Sequence, residues 1–295
     1  MAKLVFGCGY LGHRVADRWL AAGETVYVVT RSAARADVLR AQELTPIVAD
    51  VVDPATLVGL PTVDTVLYAV GYDRTTGASI HNVYVDGLTH VLAALPPETG
   101  RIVYISSTGV YGQASGERVD ETSDCRPVRE GGQACLAAEQ LLSAHPLGAR
   151  AVILRLAGLY GPGRIPSRQQ LMAGHALAVP AEGCLNLIHV DDAASVVLAA
   201  EQRAQLPRLY VVSDGQPVER HTYYEELARL IGAPAPRFVP APPGSEALAR
   251  SATDKRIDNA RMRAELAVLL AYPSYREGLA QVVAGEQAAD ESTAG

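Results

Sequence analysis

The chain has 295 residues and a formal net charge of −6, with 48% hydrophobic and 20% charged residues, 26 glycines and 18 prolines. That length buries a substantial core, and the composition excludes a disordered, coiled-coil or collagen-like chain. The acidic balance provides no overall positive field, so neither nucleic acid nor a membrane is an expected partner.

The first apolar segment is interrupted by Gly7 and Gly9 before a signal-peptide core or a membrane span develops. Residues 3 to about 157 then alternate short β-branched runs with longer helical patterns, the rhythm of a parallel sheet wrapped by helices. Strands are predicted at 4–6, 25–30, 46–49, 65–70, 101–106 and 150–156, several of them continuous apolar runs suited to burial on both faces. Between the first two, Leu11, Val15, Trp19 and Ala22 recur at helical spacing until Gly23 stops the helix. A second helix is predicted over 82–95, closed by Pro96-Pro97, and a third over 132–144, closed by Pro146. The crossovers should be right-handed.

Beyond Gly158 prolines and glycines punctuate the chain and a smaller lobe begins. Within it, 223–231 and 260–270 read as amphipathic helices, and 185–189 and 208–212 as strands returning to the main sheet. The predicted organisation is a parallel-sheet domain over 1–158, a smaller lobe over 159–283 interleaved with its sheet, and a flexible, solvated tail over 284–295. Cys8, Cys125, Cys135 and Cys184 are widely spaced without a Cys-x-x-Cys pair, as expected of free thiols in a cytoplasmic protein.

The strongest local motif, Gly7-Cys8-Gly9-Tyr10-Leu11-Gly12, follows the first strand and opens the first helix. Its glycines allow a tight turn, close backbone approach to a pyrophosphate and tight helix-on-strand packing, with helix N-terminal amides facing the anion. The fold class this implies is α/β, a Rossmann-type doubly wound parallel sheet with a smaller C-terminal substrate lobe. Gly7, Gly9, Tyr10, Leu11 and Gly12 are the expected phosphate loop. Where an NAD-binding chain places an acid after the second strand, this one reads Thr30-Arg31-Ser32, followed by Arg35. Arg31, with Ser32 and Arg35, suits a 2′-phosphate, so NADP is favoured over NAD as cofactor. Strand-end geometry puts Asp50 and Val51 beside the adenine, and Ala69, Val70 and Gly71 beneath the cofactor.

Together with that loop, Ile105-Ser106-Ser107-Thr108-Gly109-Val110-Tyr111-Gly112, Leu154-Arg155, Tyr160-Gly161-Pro162-Gly163 and Ile188-His189-Val190-Asp191-Asp192-Ala193 give the chain its likeness to a family. Over nearly its whole length it resembles the extended short-chain dehydrogenase/reductases, the NAD-dependent epimerase/dehydratase superfamily. The resemblance implies a cofactor across the strand C-termini, a lobe closing over a small polar substrate, often a nucleotide sugar, and a homodimer through paired helices. It also implies an active site of Ser or Thr after the fifth strand, with a Tyr and, four residues later, a Lys on the next helix. Tyr carries the substrate proton, Lys lowers its pKa and holds the nicotinamide ribose, and the hydroxyl orients the substrate oxygen.

Ser107 matches the hydroxyl, but Gly131 stands at the Tyr position and Cys135 at the Lys position, and no tyrosine or lysine occurs between Gly112 and Tyr160. The glycine loop departs as well, with Phe6 at the family's first glycine and Gly7 displaced by one, and Tyr84 stands where the family often has Asn. Gly131 and Gly132 should leave a hollow near the nicotinamide. Tyr72, Tyr84 and His81 are the candidate replacements for the missing acid, Tyr72 being the one singled out, while Cys135 reads more simply as a buried small hydrophobe and Tyr111 as structural. Asp191 and Asp192 suit the N-cap of a helix over 193–201, and no metal is expected. Arg155, Arg164, Lys255 and Arg256 are expected toward the substrate mouth.

Two functions follow. One is an NADP-dependent oxidoreductase or epimerase acting on a small hydroxyl or keto compound by a non-standard proton relay. The other is a noncatalytic NADP(H)-binding sensor or interaction protein on the same fold. Gly131 and Cys135 favour the sensor, Ser107 and the C-terminal lobe the enzyme, and the enzyme is preferred.

Overall fold

The computed structural model describes residues 1–245, 248–249 and 252–294. In chain order the elements are β1 (Ala2–Phe6), α1 (Gly12–Ala21), β2 (Thr25–Thr30), α2 (Ala33–Ala41), β3 (Thr45–Val48), β4 (Thr65–Tyr68), a π-helical turn (Asn82–Asp86) leading into α3 (Gly87–Ala94), and β5 (Arg101–Ser107). There follow β6 (Glu117–Val119), α4 (Glu130–Ala144), β7 (Ala151–Leu156), β8 (Gly158–Tyr160), α5 (Arg168–Met172), β9 (Cys184–Leu185), β10 (Leu187–His189), α6 (Val190–Arg203) and β11 (Arg208–Val212). The chain ends with β12 (Val218–Glu219), α7 (Arg220–Leu230), β13 (Lys255–Ile257), α8 (Ala260–Leu266) and α9 (Tyr275–Ala294).

Seven strands form one parallel sheet in the order β11-β7-β5-β4-β1-β2-β3, so the winding reverses between β1 and β4. In an open α/β sheet a ligand cleft forms at such a switch point, beyond the strand C-termini. Successive side chains of each strand point to opposite faces. Val5, Val28, Val103 and Leu154 accordingly pack with Trp19 of α1 and Val197 of α6 on one face. Leu4, Phe6, Tyr68 and Tyr104 pack with Leu88 and Leu92 of α3 and Leu142 of α4 on the other. Helix α1 ends as its spacing predicts: Gly23 N–H bonds the Leu20 carbonyl and Glu24 N–H the Trp19 carbonyl, both across one turn.

Several expectations are corrected. The run 185–189 is not one strand of the main sheet: Cys184–Leu185 pairs antiparallel with β12, and Leu187–His189 pairs parallel with β8. The break falls at Asn186, whose side chain donates to the Lys255 carbonyl and accepts from Ile257 N–H, tying this segment to β13. Only Arg208–Val212 returns to the main sheet, beside β7. The helix predicted over 260–270 stops at Leu266 because Ala267 turns left-handed, at φ +46°. The strand predicted over 65–70 ends at Tyr68, releasing Ala69, Val70 and Gly71 to the cleft.

The helix predicted over 193–201 starts at Val190, and its N-cap is His189, whose Nδ1 accepts from Asp191 N–H at 3.3 Å. Asp192 instead accepts the backbone N–H groups of Ala271 and Tyr272, and Asp191 pairs with Arg14 at 3.1 Å. Helix α9 takes in the segment from residue 284 that composition presents as a solvated tail. The lobe has its own core, where Leu177 and Leu187 meet Tyr223 and Leu227 of α7 and Leu279 of α9.

Candidate active site

The phosphate loop is fixed by close backbone approaches. Gly7 has φ +86°, and a Cβ there would lie 2.3 Å from the Ala69 carbonyl oxygen. A Cβ on Gly12 would lie 2.2 Å from the Gly7 carbonyl oxygen, so the turn closes over the β1–β4 switch point only without side chains. Gly9, in contrast, faces open space with no atom within 4 Å of its Cβ position, which leaves a cradle for a ligand. No side chain caps the start of α1, whose N-cap residue is Leu11. A helix start without a side-chain cap, beside an open glycine, is a fit for a pyrophosphate.

Two cavities open along the strand ends from this loop. The first, of about 260 Å³, is bordered by Gly7, Arg31, Arg35, Asp50, Val51 and Gly71. Arg31, about half exposed, is held by Asp73 at 3.2 Å, a partner from the loop after β4. Asp73 is kept below the ordinary carboxylate range by hydrogen bonds from Thr75, with a smaller contribution from Arg31. Ser32 caps α2, accepting from Arg35 N–H at 3.2 Å, and neither it nor Gly12 borders the cavity.

The second cavity, of about 760 Å³, runs from Gly9, Tyr10 and Leu11 past Ala69 and Val70 to Ser107. Ser107 Oγ accepts from Gly109 N–H at 3.0 Å, starting the short turn Thr108–Val110. Gly131 does not border this cavity, and Ile80 Cδ1 lies 3.3 Å from its Cβ position. Gly132 packs against the Gly109 carbonyl, where a Cβ would come within 2.2 Å, so the hollow expected from this pair is taken up by neighbours. Cys135 does border the cavity, and burial, then the charge of Glu139, pushes its thiol up to about 12, which suits a small hydrophobe and no nucleophile.

Of the candidate replacements, His81 is exposed and near Asp86, outside both cavities. Tyr72 and Tyr84 meet in the second cavity: Tyr84 hydroxyl accepts from Tyr72 N–H at 3.3 Å, and Tyr72 hydroxyl donates to the Ala78 carbonyl at 3.2 Å. Tyr84 sits in the π-helical turn, a departure often associated with functional sites, and burial raises its pKa, with the neighbouring Cys135 adding to the rise. Its phenol lies beside the Cys135 thiol, where the resemblance puts a lysine.

Below the cavity floor lies a buried polar network. Glu139 accepts from Ser106 Oγ at 2.5 Å and from Arg155 Nε and Nη2, the latter at 2.6 Å. Arg155 also donates to the Tyr111 hydroxyl at 2.7 Å, which donates to the Asp120 carbonyl. Arg155 therefore does not face the substrate mouth. Burial alone would lower its pKa, but the bonds and charge of Glu139 outweigh that and hold it above the ordinary guanidinium value. Arg256 points to the Gly116 carbonyl and Glu219, also away from the mouth.

Arg164 and Lys255 do border the second cavity, with Arg129. A third cavity, of about 550 Å³, lies in the lobe between Gln170, Leu187, Arg220 and Tyr224. It shares Thr108, Arg129, Gly158 and Lys255 with the second, so the two meet at a common neck. Among the described residues no carboxylate borders either cavity. An electropositive space of this kind suits a polar or anionic ligand.

The family model described as NAD dependent epimerase/dehydratase family matches residues 4–213. Protein YeeZ of Escherichia coli (strain K12) is 34% identical over 181 residues, covering 61% of this chain and 62% of that protein. The chain thus spans about three fifths of the curated relatives it matches. The solved structure of a functionally unknown conserved protein from Silicibacter pomeroyi DSS is similar at 28% identity and TM-score 0.77, covering 97% of this chain and 99% of that one. A UDP-glucose 4-epimerase from Bifidobacterium longum, in complex with NAD+ and UDP, shares the fold at 16% identity and TM-score 0.79, with 98% of each chain covered. No helix among the described residues is long and apolar enough to cross a membrane.

Proposed function

The chain belongs to the NAD-dependent epimerase/dehydratase family, and on that footing we propose that it is an NADP-dependent oxidoreductase. It interconverts a keto and a hydroxyl group on a small polar compound, a sugar or nucleotide sugar among them, through a proton relay that does not use a Tyr-Lys pair. The observation that carries this reading is the continuity of space. A cleft from the glycine loop reaches Ser107 and opens, through the neck at Thr108 and Lys255, into a cavity of the lobe. A noncatalytic sensor has no need of a substrate cavity joined to the cofactor cleft.

Gly9 and the uncapped start of α1 would hold the pyrophosphate. Arg31 and Arg35 would take the 2′-phosphate, since no carboxylate follows β2 and a guanidinium fork matches phosphate geometry. Bound there, NADPH supplies a hydride at the nicotinamide. Ser107 Oγ already accepts from Gly109 N–H, which leaves its own proton to donate to the substrate oxygen and orient it. The lobe excludes water from the joined cavities. A homodimer and a cytoplasmic setting belong to the same reading, the latter supported by four free cysteines.

The test is to follow NADPH absorbance with purified protein and a panel of aldehydes, keto sugars and nucleotide sugars. Turnover with at least one compound is expected; binding of NADPH without turnover across the panel would favour the sensor. Arg31→Asp should weaken NADPH binding at least tenfold more than NADH binding, and equal losses would refute the 2′-phosphate assignment.

A further inference from the structure

Of the 26 basic residues in the chain only two are lysines, Lys3 and Lys255, and both are buried. Arginine remains charged at any working pH, whereas a lysine ammonium can release its proton. Lys3 is a structural ion: it pairs with Glu201, which also accepts from Trp19 Nε1 at 2.8 Å and Thr65 Oγ1 at 2.7 Å. Among the described residues no carboxylate forms an ion pair with Lys255. Its Nζ donates to the Tyr111 carbonyl at 2.8 Å and makes no other hydrogen bond among the described residues, so the rest of its donor capacity is unused.

We propose that Lys255 is the general acid of the reaction, its ammonium protonating the substrate oxygen in the role for which α4 offers only Gly131. This rests on the oxidoreductase reading above. Lys255 borders both joined cavities at their neck, and its anchor, Tyr111, closes the turn that Ser107 begins. That turn spans only Thr108–Val110, so the Ser107 hydroxyl and the carbonyl that anchors the ammonium stand at its two ends. In the reducing direction the carbonyl carbon gains a C–H bond from the hydride, and the C=O π pair moves to oxygen. That oxygen then takes a proton as one Nζ–H bond breaks. The carbonyl is reduced, with NADPH as the reductant, and the neutral amine on Lys255 regains its proton from solvent once product has left.

The surroundings support the role. Burial, with a smaller contribution from the Arg129 charge and against the pull of Asp254, lowers the Lys255 pKa to about 8. Glu117, opposite it in β6, is turned to Ser115 N–H, and the Cys184 thiol of neighbouring β9 is pushed up to about 11 by burial. The other proton carriers at the cavity serve less well: Cys135 and Tyr84 are raised by burial, and the Tyr72 proton is engaged by Ala78. An acid with a pKa near the operating pH balances protonation against proton-transfer drive.

The experiment pairs a nitrogen-15 NMR titration of the two lysine side chains in the cofactor-free protein with NADPH oxidation, using 4-nitrobenzaldehyde as probe beside the carbonyl panel. Lys255, assigned by its loss in Lys255→Arg, should titrate near pH 8, and a value at or above 10 overturns the proposal. Lys255→Met and Lys255→Arg should each lower kcat by about 10²- to 10⁴-fold while leaving NADPH affinity within threefold, and the alkaline limb of the wild-type pH profile should vanish. Arg keeps the charge and the bond to Tyr111, so a purely structural lysine would be rescued by it. Activity restored in Lys255→Arg overturns the acid alone; absence of turnover in the wild type overturns the oxidoreductase reading and the acid with it.

Discussion

Replacing Glu139 by Ala tests the network beneath Ser107. Glu139 is 4% exposed and Arg155 5%, and the carboxylate accepts hydrogen bonds from Ser106 Oγ and from Nε and Nη2 of Arg155. The substitution leaves a buried guanidinium with no carboxylate beside it, only the neutral Tyr111 hydroxyl and Cys125 thiol. Breaking a buried pair from one side typically costs about 3–5 kcal/mol, because the remaining charge is uncompensated. Removing both charges with shapes of similar volume, as in Glu139→Leu with Arg155→Met, should recover most of that loss. Urea unfolding followed by circular dichroism gives the free energies, and an unchanged slope shows that native and unfolded states are otherwise alike. The cycle closes with Arg155→Met alone, whose coupling to Glu139 should be well above 1 kcal/mol. A loss below about 1 kcal/mol in Glu139→Ala, or a double variant no more stable than the single, would contradict the role given to the pair.

Three further outcomes are expected. Gly7→Ala forces a Cβ to 2.3 Å from the Ala69 carbonyl at a left-handed φ, so NADPH binding should be lost while far-ultraviolet dichroism stays near wild type; unchanged calorimetric affinity would refute the tight-turn role. Asp214 is raised to about 7, chiefly by burial, with the charges of Asp192 and Glu277 adding to the shift. Because its folded value exceeds its unfolded one, its stabilising contribution is complete below about pH 4 and is lost as pH rises through 7, by at most about 4 kcal/mol. Asp214→Asn should therefore flatten that decline in a pH series of melting curves, and an unaltered slope would refute it. Asp73→Asn, by freeing Arg31, should tighten NADPH binding a few-fold and leave NADH alone; a weaker NADPH complex would show that Asp73 does not compete for Arg31.

What could be read in advance follows from range along the chain. The glycine loop is legible because strand, turn and helix are contiguous and the steric demand falls on backbone. The parallel sheet is legible because its central strands are near-continuous apolar runs. Asp73 was invisible, since it reaches Arg31 across 42 residues from an irregular loop. Arg155 reads as a mouth residue on charge alone; its burial depends on Glu139 from α4 and Tyr111 from the turn after β5. The acids after His189 look like a cap, but that histidine takes the cap itself and Asp192 is drawn to Ala271 and Tyr272, 79 and 80 residues on. Lys255 reads as one cation among four until pairing of β13 with β6 sets it at the neck. The scarcity of lysine was a signal already present in the composition.

The most direct test of hydride transfer uses NADPH carrying deuterium at nicotinamide C4, prepared separately in its two stereochemical forms, with mass spectrometry of the carbonyl panel after incubation. The account predicts that one form delivers a single deuterium to the former carbonyl carbon of at least one compound while the other does not. Tight NADPH binding with no deuterium in any product would contradict it and leave a protein that holds the cofactor without using it.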